Sequence, residues 1–435
     1  MCIDAYVDST IEMIQVSIRD MGDLIVIGGG VAGHRAACEL SRLGGEAIRL
    51  VGAEVGRPYD RPPLSKDYLM ADEAIRPGLS QSDIYDGGAM LHDGLTVTRV
   101  DRDKREIHVS DGARLRYDKL LIATGSRLRQ LILPDIDPAR IFYLRTIDDA
   151  ARLRAALIAS SRVTIIGGGF IGLEVAAAAR QLGCQVTLLE RAATLLPRGA
   201  TPFLADYVHA LHARRGVDVF LNVEITGAFE DAGGVTIDWP GGQVHSDIVV
   251  VGVGVMPNVD LAVECGLVTD DGIHVDRHCR TSDDAIFAAG EVTRYPVGRL
   301  GLSARTESWS AASAQAIVAA QTMLGHDASF DELPWFWSDQ YDVNVQCLGL
   351  PNRASRFLQI GEAGSDSWLR IGFDGAGNLV GAEAVNRGRD VSALRRTDRK
   401  GQAVPQSLID QAIKTETSVL AGAAVGGPSL ESVLP

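Results

Sequence analysis

Two stretches of this chain carry glycines at the spacing that holds a dinucleotide. The motifs are Gly28-x-Gly30-x-x-Gly33 and Gly167-x-Gly169-x-x-Gly172, and each follows an apolar run and opens a helical segment. The first glycine makes a tight turn, the second lets the backbone approach a pyrophosphate, and the third lets helix pack on strand. The pyrophosphate then lies on the free N–H groups at the helix N-terminus. Because one unit binds one dinucleotide, the repeat predicts two sites.

An acidic residue follows each unit. Glu190 comes 23 residues after Gly167, at the end of a second β-like run. A carboxylate there accepts from both ribose hydroxyls and repels a 2′-phosphate, so Glu190 favours NAD over NADP. Glu54 is a slightly late candidate for the same role in the first unit, and its alternative is a solvated loop glutamate.

A stiff loop and several small-residue turns accompany these units. Arg57–Lys66 contains two consecutive prolines, which predict a rigid extended turn. Ser65 is then expected to be the N-cap of a short helix that starts at Lys66. Lys66 lies either in a binding site or on the solvated surface. Three buried strands end in turns whose backbone can lie against a ligand. These segments are Leu120–Ser126, Val249–Asn258 and Thr281–Val292.

Composition and cysteine spacing exclude other classes of protein. The net charge of −14 over 435 residues argues against nucleic acid as a general partner. No two of the six cysteines form a C-x-x-C pair, so we expect no disulfide framework, no metal site and a reducing, cytoplasmic setting.

His209 and His212 share a helix face without an acid or cysteine cluster, so we expect both to be surface residues. No apolar run reaches the length of a membrane span.

The elements that position these residues predict an α/β fold. Two Rossmann-like dinucleotide-binding domains are followed by an α+β domain in the last hundred residues. That domain is expected to have strands near two tryptophans and helices at Asp390–Arg396 and Pro405–Ile413. The economical pair of dinucleotides is a bound FAD and a visiting nicotinamide, because hydride passes between such rings when they stack.

The motifs GxGxxG, RPPLSK, ATGS, GGGFIGLE, LLE, AAGE and PWFWSDQ occur in this order. The chain resembles the FAD-containing ferredoxin reductases of bacterial oxygenase systems, of the putidaredoxin reductase and biphenyl dioxygenase reductase type, within the glutathione-reductase-like flavoproteins. The resemblance runs from about Leu24 to about Arg396. It implies an FAD-binding domain in two segments (1–125 and 253–329), an NAD-binding domain (126–252) and a C-terminal reductase domain (330–435).

The resemblance also implies roles for individual residues. Lys66 stands beside the flavin ring, Glu174 lies near the nicotinamide and pairs with Lys66, and Trp337 sits near the flavin edge with Gln340 close by. Glu291 occupies the place of an aspartate that usually touches the ribityl chain. The set of residues that bind the two cofactors, FAD and NAD(H), comprises Gly28, Gly30, Gly33, Glu54, Arg61, Lys66, Ala123, Thr124, Gly125, Gly167, Gly169, Gly172, Glu174, Glu190, Gly254, Gly290, Glu291 and Trp337.

The implied function is transfer of electrons from NADH through FAD, one at a time, to a [2Fe–2S] ferredoxin that feeds a dioxygenase or cytochrome P450. Because the chain has no cysteine pair beside the flavin, we expect electrons to leave the flavin directly, through an exposed ring edge. Trp335 and Trp337 either line the opening at that edge or are core aromatics. The alternatives are a rubredoxin or quinone reductase, an NADH oxidase, or a redox interaction protein like apoptosis-inducing factor. The arginine-rich stretch Arg387–Lys400 is either a docking face for an acidic ferredoxin or a solvated helix.

Overall fold

The computed structural model describes residues 23–71, 76–231, 233–362 and 364–400, together with 404, 405, 407 and 410. The predicted helix Pro405–Ile413 therefore falls mostly outside the described residues, as does Cys2. By its contacts the chain divides into two compact units. The first contains residues 23–60, 77–127 and 256–332, and the second contains residues 61–76, 128–255 and those from 333 onward.

The first unit is built on a parallel sheet whose central strand, Leu24–Ile27, is fully buried. Its apolar β-branched residues suit a strand that is covered on both faces. The strands lie side by side in the order Ile286–Ala288, Lys119–Ile122, Leu24–Ile27, Ile48–Gly52 and Met90–Asp93. The order reverses next to Leu24–Ile27, which is where sheets of this kind bind ligands at the carboxyl ends of their strands.

Helices and antiparallel strands complete the first unit. The helices are Val31–Arg42, Asp260–Glu264 and Trp309–Met323, with 3₁₀ turns at Ser82–Asp86 and Gly298–Leu300. One antiparallel sheet contains Val97–Asp101, Glu106–Val109 and Arg114–Arg116, and a mixed sheet contains Thr269–Asp270, Gly272–His274, Thr293–Val297 and Leu302–Ala304. Helices Val31–Arg42 and Trp309–Met323 share a core with the parallel sheet.

The second unit repeats the parallel arrangement. Its strands lie in the order Val217–Phe220, Gln185–Leu189, Arg162–Ile166, Ile248–Val251 and Ile141–Phe142. Its helices are Asp67–Met70, Ile147–Ala159, Phe170–Gln181 and Pro202–Arg214, with 3₁₀ turns at Pro62–Ser65 and Pro138–Arg140. An antiparallel sheet of Gly227–Asp231, Gly234–Trp239 and Gly242–Ser246 is added to it. Short strands also occur at Ser126–Leu128 and Val255–Pro257.

The C-terminal part of the second unit is an antiparallel sheet with one long helix. The strands lie in the order Trp335–Gln340, Val343–Gly349, Leu379–Val385, Trp368–Phe373 and Arg356–Ile360, with a 3₁₀ turn at Pro351–Arg353. Helix Gly388–Arg399 follows and is longer at both ends than the predicted Asp390–Arg396. The predicted α/β architecture, with two Rossmann-like units and an α+β part, is confirmed.

Candidate functional site

Both glycine turns have the same geometry. Gly28 and Gly167 have φ angles of +114° and +111°, which favour glycine over other residues. A Cβ atom on Gly28 would lie 2.2 Å from the Ala123 carbonyl oxygen, and one on Gly167 would lie 2.4 Å from that of Gly252. The backbone just past a neighbouring parallel strand, Lys119–Ile122 in the first unit and Ile248–Val251 in the second, therefore lies too close to the turn for any side chain.

In each motif the third glycine is crowded by backbone, whereas the second has open space beside it. A Cβ on Gly33 would lie 1.9 Å from the Gly28 carbonyl oxygen, and one on Gly172 would lie 2.1 Å from that of Gly167. Beside Gly30 and Gly169, by contrast, the described residues leave open space. Each turn thus forms a cradle next to a helix N-terminus. A pyrophosphate that lies in the open space of this cradle can accept from the free N–H groups of that helix.

The two acidic residues that follow these units have different surroundings. The Glu190 carboxylate accepts from the backbone N–H of Gly168 and of Ala192, each at 2.7 Å. These bonds fix the carboxylate against the second glycine turn. Glu54 in the first unit accepts from the Tyr59 hydroxyl.

The small-residue turns in the first unit are fixed by polar contacts. Thr124 exchanges two hydrogen bonds of 2.9 Å with Asn258, and Gly125 follows with a φ of +64°. Gly290, with a φ of +88°, donates its N–H to the Gln315 amide oxygen at 2.8 Å, and half-buried Glu291 comes next. In the second unit, Gly254 has a φ of +97°.

Lys66 and Glu174 are brought together in the second unit. The prolines start a 3₁₀ turn over Pro62–Ser65, and Arg61 donates to the Arg145 carbonyl at 2.7 Å, which anchors the loop. The Lys66 ammonium lies 3.0 Å from the Glu174 carboxylate. Glu174 is only 3 % exposed because helix Phe170–Gln181 is buried along most of its length.

The prediction that Ser65 is an N-cap is wrong. Helix Asp67–Met70 begins after Lys66 without a side-chain cap, and the Ser65 hydroxyl donates to the Glu174 carboxylate instead. The hydroxyl of Ser338 donates to the other carboxylate oxygen at 2.6 Å. Burial raises the pKa of Glu174, and the opposing influences are first the Lys66 charge and then these hydroxyl donors.

Strand Trp335–Gln340 supplies that second donor through its two-residue alternation. Phe336, Ser338 and Gln340 face one side, where Phe336 packs edge-on against Phe170 with ring centroids 4.7 Å apart. Phe170 and Glu174 are four residues apart on one helix face, so a single strand contacts both. The sequence analysis missed Ser338, although this alternation was visible in PWFWSDQ.

The two tryptophans lie on the opposite side of that strand. Trp335 and Trp337 are half-buried and stack with ring centroids 5.0 Å apart, and the Arg395 guanidinium lies 3.8 Å from the Trp335 ring centroid. Because both rings are only half-buried, they are not enclosed in a core, and their role as an exit for electrons stays a prediction. They form a stacked, partly exposed aromatic pair.

The prediction that His212 is a surface residue is also wrong. Its side chain is 0 % exposed, and its Nε2 lies 2.9 Å from the Gln340 amide oxygen. Burial lowers the pKa of His212 to about 4. His209 is half-buried on the same helix.

The polar atoms around the first cradle fit a bound FAD. Gln315 is 1 % exposed, and its amide oxygen accepts from Gly290 and from the Thr293 hydroxyl. The amide nitrogen of Gln315 has no hydrogen-bond partner among the described residues. A buried donor of this kind is costly unless a ligand accepts from it. The glycine cradle and this donor therefore suit a polar, phosphate-bearing group.

Other kinds of site are not seen in the part of the chain that is described. Over these residues, no cluster of three or more histidine, cysteine, aspartate or glutamate side chains is arranged to hold a metal ion. The cysteines within the described ranges, Cys38, Cys184, Cys265, Cys279 and Cys347, are free thiols. No described helix has the length and hydrophobicity that crossing a bilayer would require.

Comparison with known proteins assigns the family. The sequence model of the pyridine nucleotide-disulphide oxidoreductases matches residues 22–316, and that of the reductase C-terminal domain matches residues 335–419. The chain is 44 % identical to the ferredoxin–NAD(+) reductase component of the anthranilate 1,2-dioxygenase system of Burkholderia cepacia, over 90 % of this chain and 98 % of that protein.

Solved structures agree with this similarity. A ferredoxin reductase from Rhodopseudomonas palustris superposes with a TM-score of 0.84 at 33 % identity, over 93 % of this chain and 100 % of that one. Putidaredoxin reductase, in its covalent complex with putidaredoxin, gives a TM-score of 0.83 at 32 % identity, over 92 % and 98 % of the two chains. The chain therefore belongs to the pyridine nucleotide-disulphide oxidoreductase family, in the branch of the ferredoxin–NAD(+) reductase components.

Proposed function

We propose that this protein is an NADH-dependent reductase that passes electrons through FAD, one at a time, to a [2Fe–2S] ferredoxin serving an oxygenase. The observation that carries the proposal is the pair of glycine cradles with one geometry, which gives a single chain two dinucleotide sites. The C-terminal reductase match and the 44 % identity to a dioxygenase reductase component support ferredoxin as the acceptor.

The first unit holds FAD in this proposal. The turn at Gly28, Gly30 and Gly33 takes the pyrophosphate, and Glu54 takes the adenosine ribose. The turns Ala123–Gly125 and Gly290–Glu291 would contact the rest of the cofactor, and the unpaired amide nitrogen of Gln315 would be a donor for it. Bound FAD accepts a hydride as an electron pair and can release the electrons singly.

The second dinucleotide site takes NADH. The turn at Gly167, Gly169 and Gly172 binds the pyrophosphate, while Glu190 accepts from the ribose hydroxyls and disfavours a 2′-phosphate. The turn at Gly254, whose φ of +97° favours glycine, would lie along the nicotinamide half. Glu174 holds the Lys66 ammonium, and the loop that carries Lys66 is anchored by Arg61; this cation would stabilise negative charge on a bound flavin.

The half-buried pair Trp335 and Trp337 forms the proposed exit for electrons. Stacked, partly exposed rings provide a path that a ferredoxin can approach closely. We retain the domain boundaries 1–125, 126–252, 253–329 and 330–435 as part of this proposal. We also propose a cytoplasmic location, supported by free thiols at the described cysteines and by the use of NADH as reductant.

The function is tested by anaerobic turnover of the purified yellow protein with NADH and a [2Fe–2S] ferredoxin. We expect reduction of two ferredoxins for each NADH, since each cluster accepts one electron. NADH consumption that needs oxygen and ignores ferredoxin would instead indicate an oxidase. Reduction of rubredoxin or quinone but not ferredoxin would indicate those acceptors. Very slow flavin reduction with a tight charge-transfer complex would indicate a redox interaction protein.

A further inference from the structure

A buried chain of hydrogen bonds joins His212 to Glu174. The His212 Nε2 lies 2.9 Å from the amide oxygen of Gln340, and the amide nitrogen of Gln340 donates to the Ser338 hydroxyl at 3.0 Å. The Ser338 hydroxyl donates to Glu174 at 2.6 Å. His212, Gln340 and Ser338 are each 0 % exposed, and Glu174 is 3 % exposed.

The direction of this chain follows from the chemistry of its members. The Glu174 carboxylate can only accept hydrogen bonds, so the Ser338 hydroxyl must donate its single proton to it. Ser338 then accepts from the Gln340 NH₂ group, which turns the Gln340 oxygen toward His212. An oxygen there needs an N–H, so the His212 proton resides on Nε2. Flipping the Gln340 amide would instead set its oxygen against the lone pairs of the Ser338 oxygen.

The contact of His212 with Tyr341 fits the neutral imidazole with its proton on Nε2. The hydroxyl of Tyr341 lies 3.3 Å from the His212 Nδ1, which accepts only while it carries no proton. Burial lowers the pKa of His212 to about 4, so the neutral form prevails across the physiological range. Donors that point the same way polarise one another, which strengthens the bond at the carboxylate end.

Few charged groups lie near either end of the chain. Lys66 is the charged group facing Glu174, from the loop packed against its helix. At the other end, the charged or titratable neighbours are His209, Arg180, Tyr341, Arg215 and Asp342.

We propose that His212 is a positioning residue that acts on Glu174 through Gln340 and Ser338, keeping the carboxylate ionised and paired with Lys66. The proposal rests on the proposed function in assigning the Lys66–Glu174 pair to the NADH reaction. His212 has no direct contact with that pair and influences it only by fixing which way two side chains donate.

The test compares His212→Asn with His212→Gln in the FAD-loaded protein. Glutamine places its amide nitrogen about as far along the side chain as Nε2 and can still donate to Gln340, whereas asparagine ends near the position of Nδ1 and cannot. One readout is the pH dependence of flavin reduction by NADH. The other is an infrared titration of the Glu174 carboxyl stretch, assigned by its loss in Glu174→Gln.

In His212→Asn we expect the apparent pKa of Glu174 to rise by about one unit, a tenfold change in protonation equilibrium, in both readouts. His212→Gln and the control His209→Asn, on the same helix, should match the wild type. Wild-type titration in His212→Asn would overturn the proposal. If that variant does not fold, Gln340→Met breaks the next link and must give the same shift. A wild-type flavin that NADH fails to reduce would refute the proposed function, while the infrared titration would still decide the role of His212.

Discussion

Glu174 is a buried carboxylate whose charge is balanced by Lys66 and by two serine hydroxyls. Replacing it with glutamine keeps its shape but leaves the Lys66 ammonium without its ionic partner. Hydrogen bonds to charged groups contribute roughly 1.5–3 kcal/mol each. We therefore expect Glu174→Gln to slow flavin reduction by NADH about 10- to 100-fold, as measured by anaerobic stopped-flow absorbance with the FAD content checked.

The matched control for this change is Asp339→Asn. Asp339 is exposed, lies beside Ser338 on the same strand and points to the other face. Its reduction rate should equal that of the wild type. A Glu174→Gln enzyme that is reduced within about twofold of the wild-type rate would remove Glu174 from the reaction.

Glu190 determines which nicotinamide dinucleotide is accepted. Its carboxylate is held by the backbone N–H of Gly168, in the glycine turn, and by that of Ala192, so its charge lies where we expect a 2′-phosphate. Glu190→Gln removes the charge and keeps an acceptor. The ratio of kcat/KM for NADPH to that for NADH should rise about tenfold, which corresponds to ~1.4 kcal/mol. Glu224→Gln, at an exposed position of the same unit, is the control. An unchanged ratio would mean that Glu190 does not face the ribose.

At the scale of elements, Glu383 joins a strand of the C-terminal sheet to the start of helix Pro202–Arg214. It is fully buried and accepts from the backbone N–H and the hydroxyl of Thr201, each at 2.6 Å. Removing one partner of such a group leaves buried donors unpaired, at about 1–3 kcal/mol. We expect Glu383→Ala to lower the Tm of the FAD-loaded protein by several degrees, whereas Glu362→Ala, at an exposed position, should not.

The stabilising effect of Glu383 also depends on pH. Burial raises its pKa above the ordinary value of 4.5, so the folded state binds this proton more tightly than the unfolded chain does. Its contribution to the free energy of unfolding is therefore largest at low pH and falls as the pH rises above about 4.5. The difference in Tm between the wild type and Glu383→Ala should shrink over that range. A difference that grows with pH would contradict the assignment.

Elements with local sequence requirements were predictable, and those that depend on distant packing were not. The glycine turns at Gly28 and Gly167 could be predicted because only glycine tolerates that backbone angle with the end of a neighbouring parallel strand so close. His212 was assigned to the surface because its cover, strand Trp335–Gln340, lies more than a hundred residues further along the chain. The error for Ser65 has a related reason. A serine before a helix predicts a side-chain cap, but in the fold its hydroxyl donates to the Glu174 carboxylate, which lies more than a hundred residues away in the sequence.

At the scale of the whole molecule, an acidic protein needs a local basic surface to bind an acidic partner. Helix Gly388–Arg399 presents exposed Arg389 and Arg396, whereas Arg387 donates to Asp390 at 2.5 Å and Arg395 stacks on Trp335. The double change Arg389→Glu with Arg396→Glu should therefore raise the KM for ferredoxin about tenfold at low ionic strength. The effect should diminish as salt screens the charges.

The control for this surface is the pair Arg114→Glu with Arg116→Glu, on exposed positions of a hairpin in the first unit. It changes the net charge equally and should leave the KM near that of the wild type. Flavin reduction by NADH should be normal in both double variants. Equal KM values for the two pairs would show that helix Gly388–Arg399 is not where ferredoxin docks.

The most direct test of the whole account is an anaerobic titration of the purified protein with NADH and, separately, with NADPH, following the absorbance of the flavin. Two dinucleotide sites with Glu190 at the second predict a yellow protein that one equivalent of NADH bleaches rapidly and that NADPH bleaches far more slowly. A colourless protein, or a bound flavin that NADH does not reduce, would contradict the assignment of the two glycine cradles to FAD and NADH.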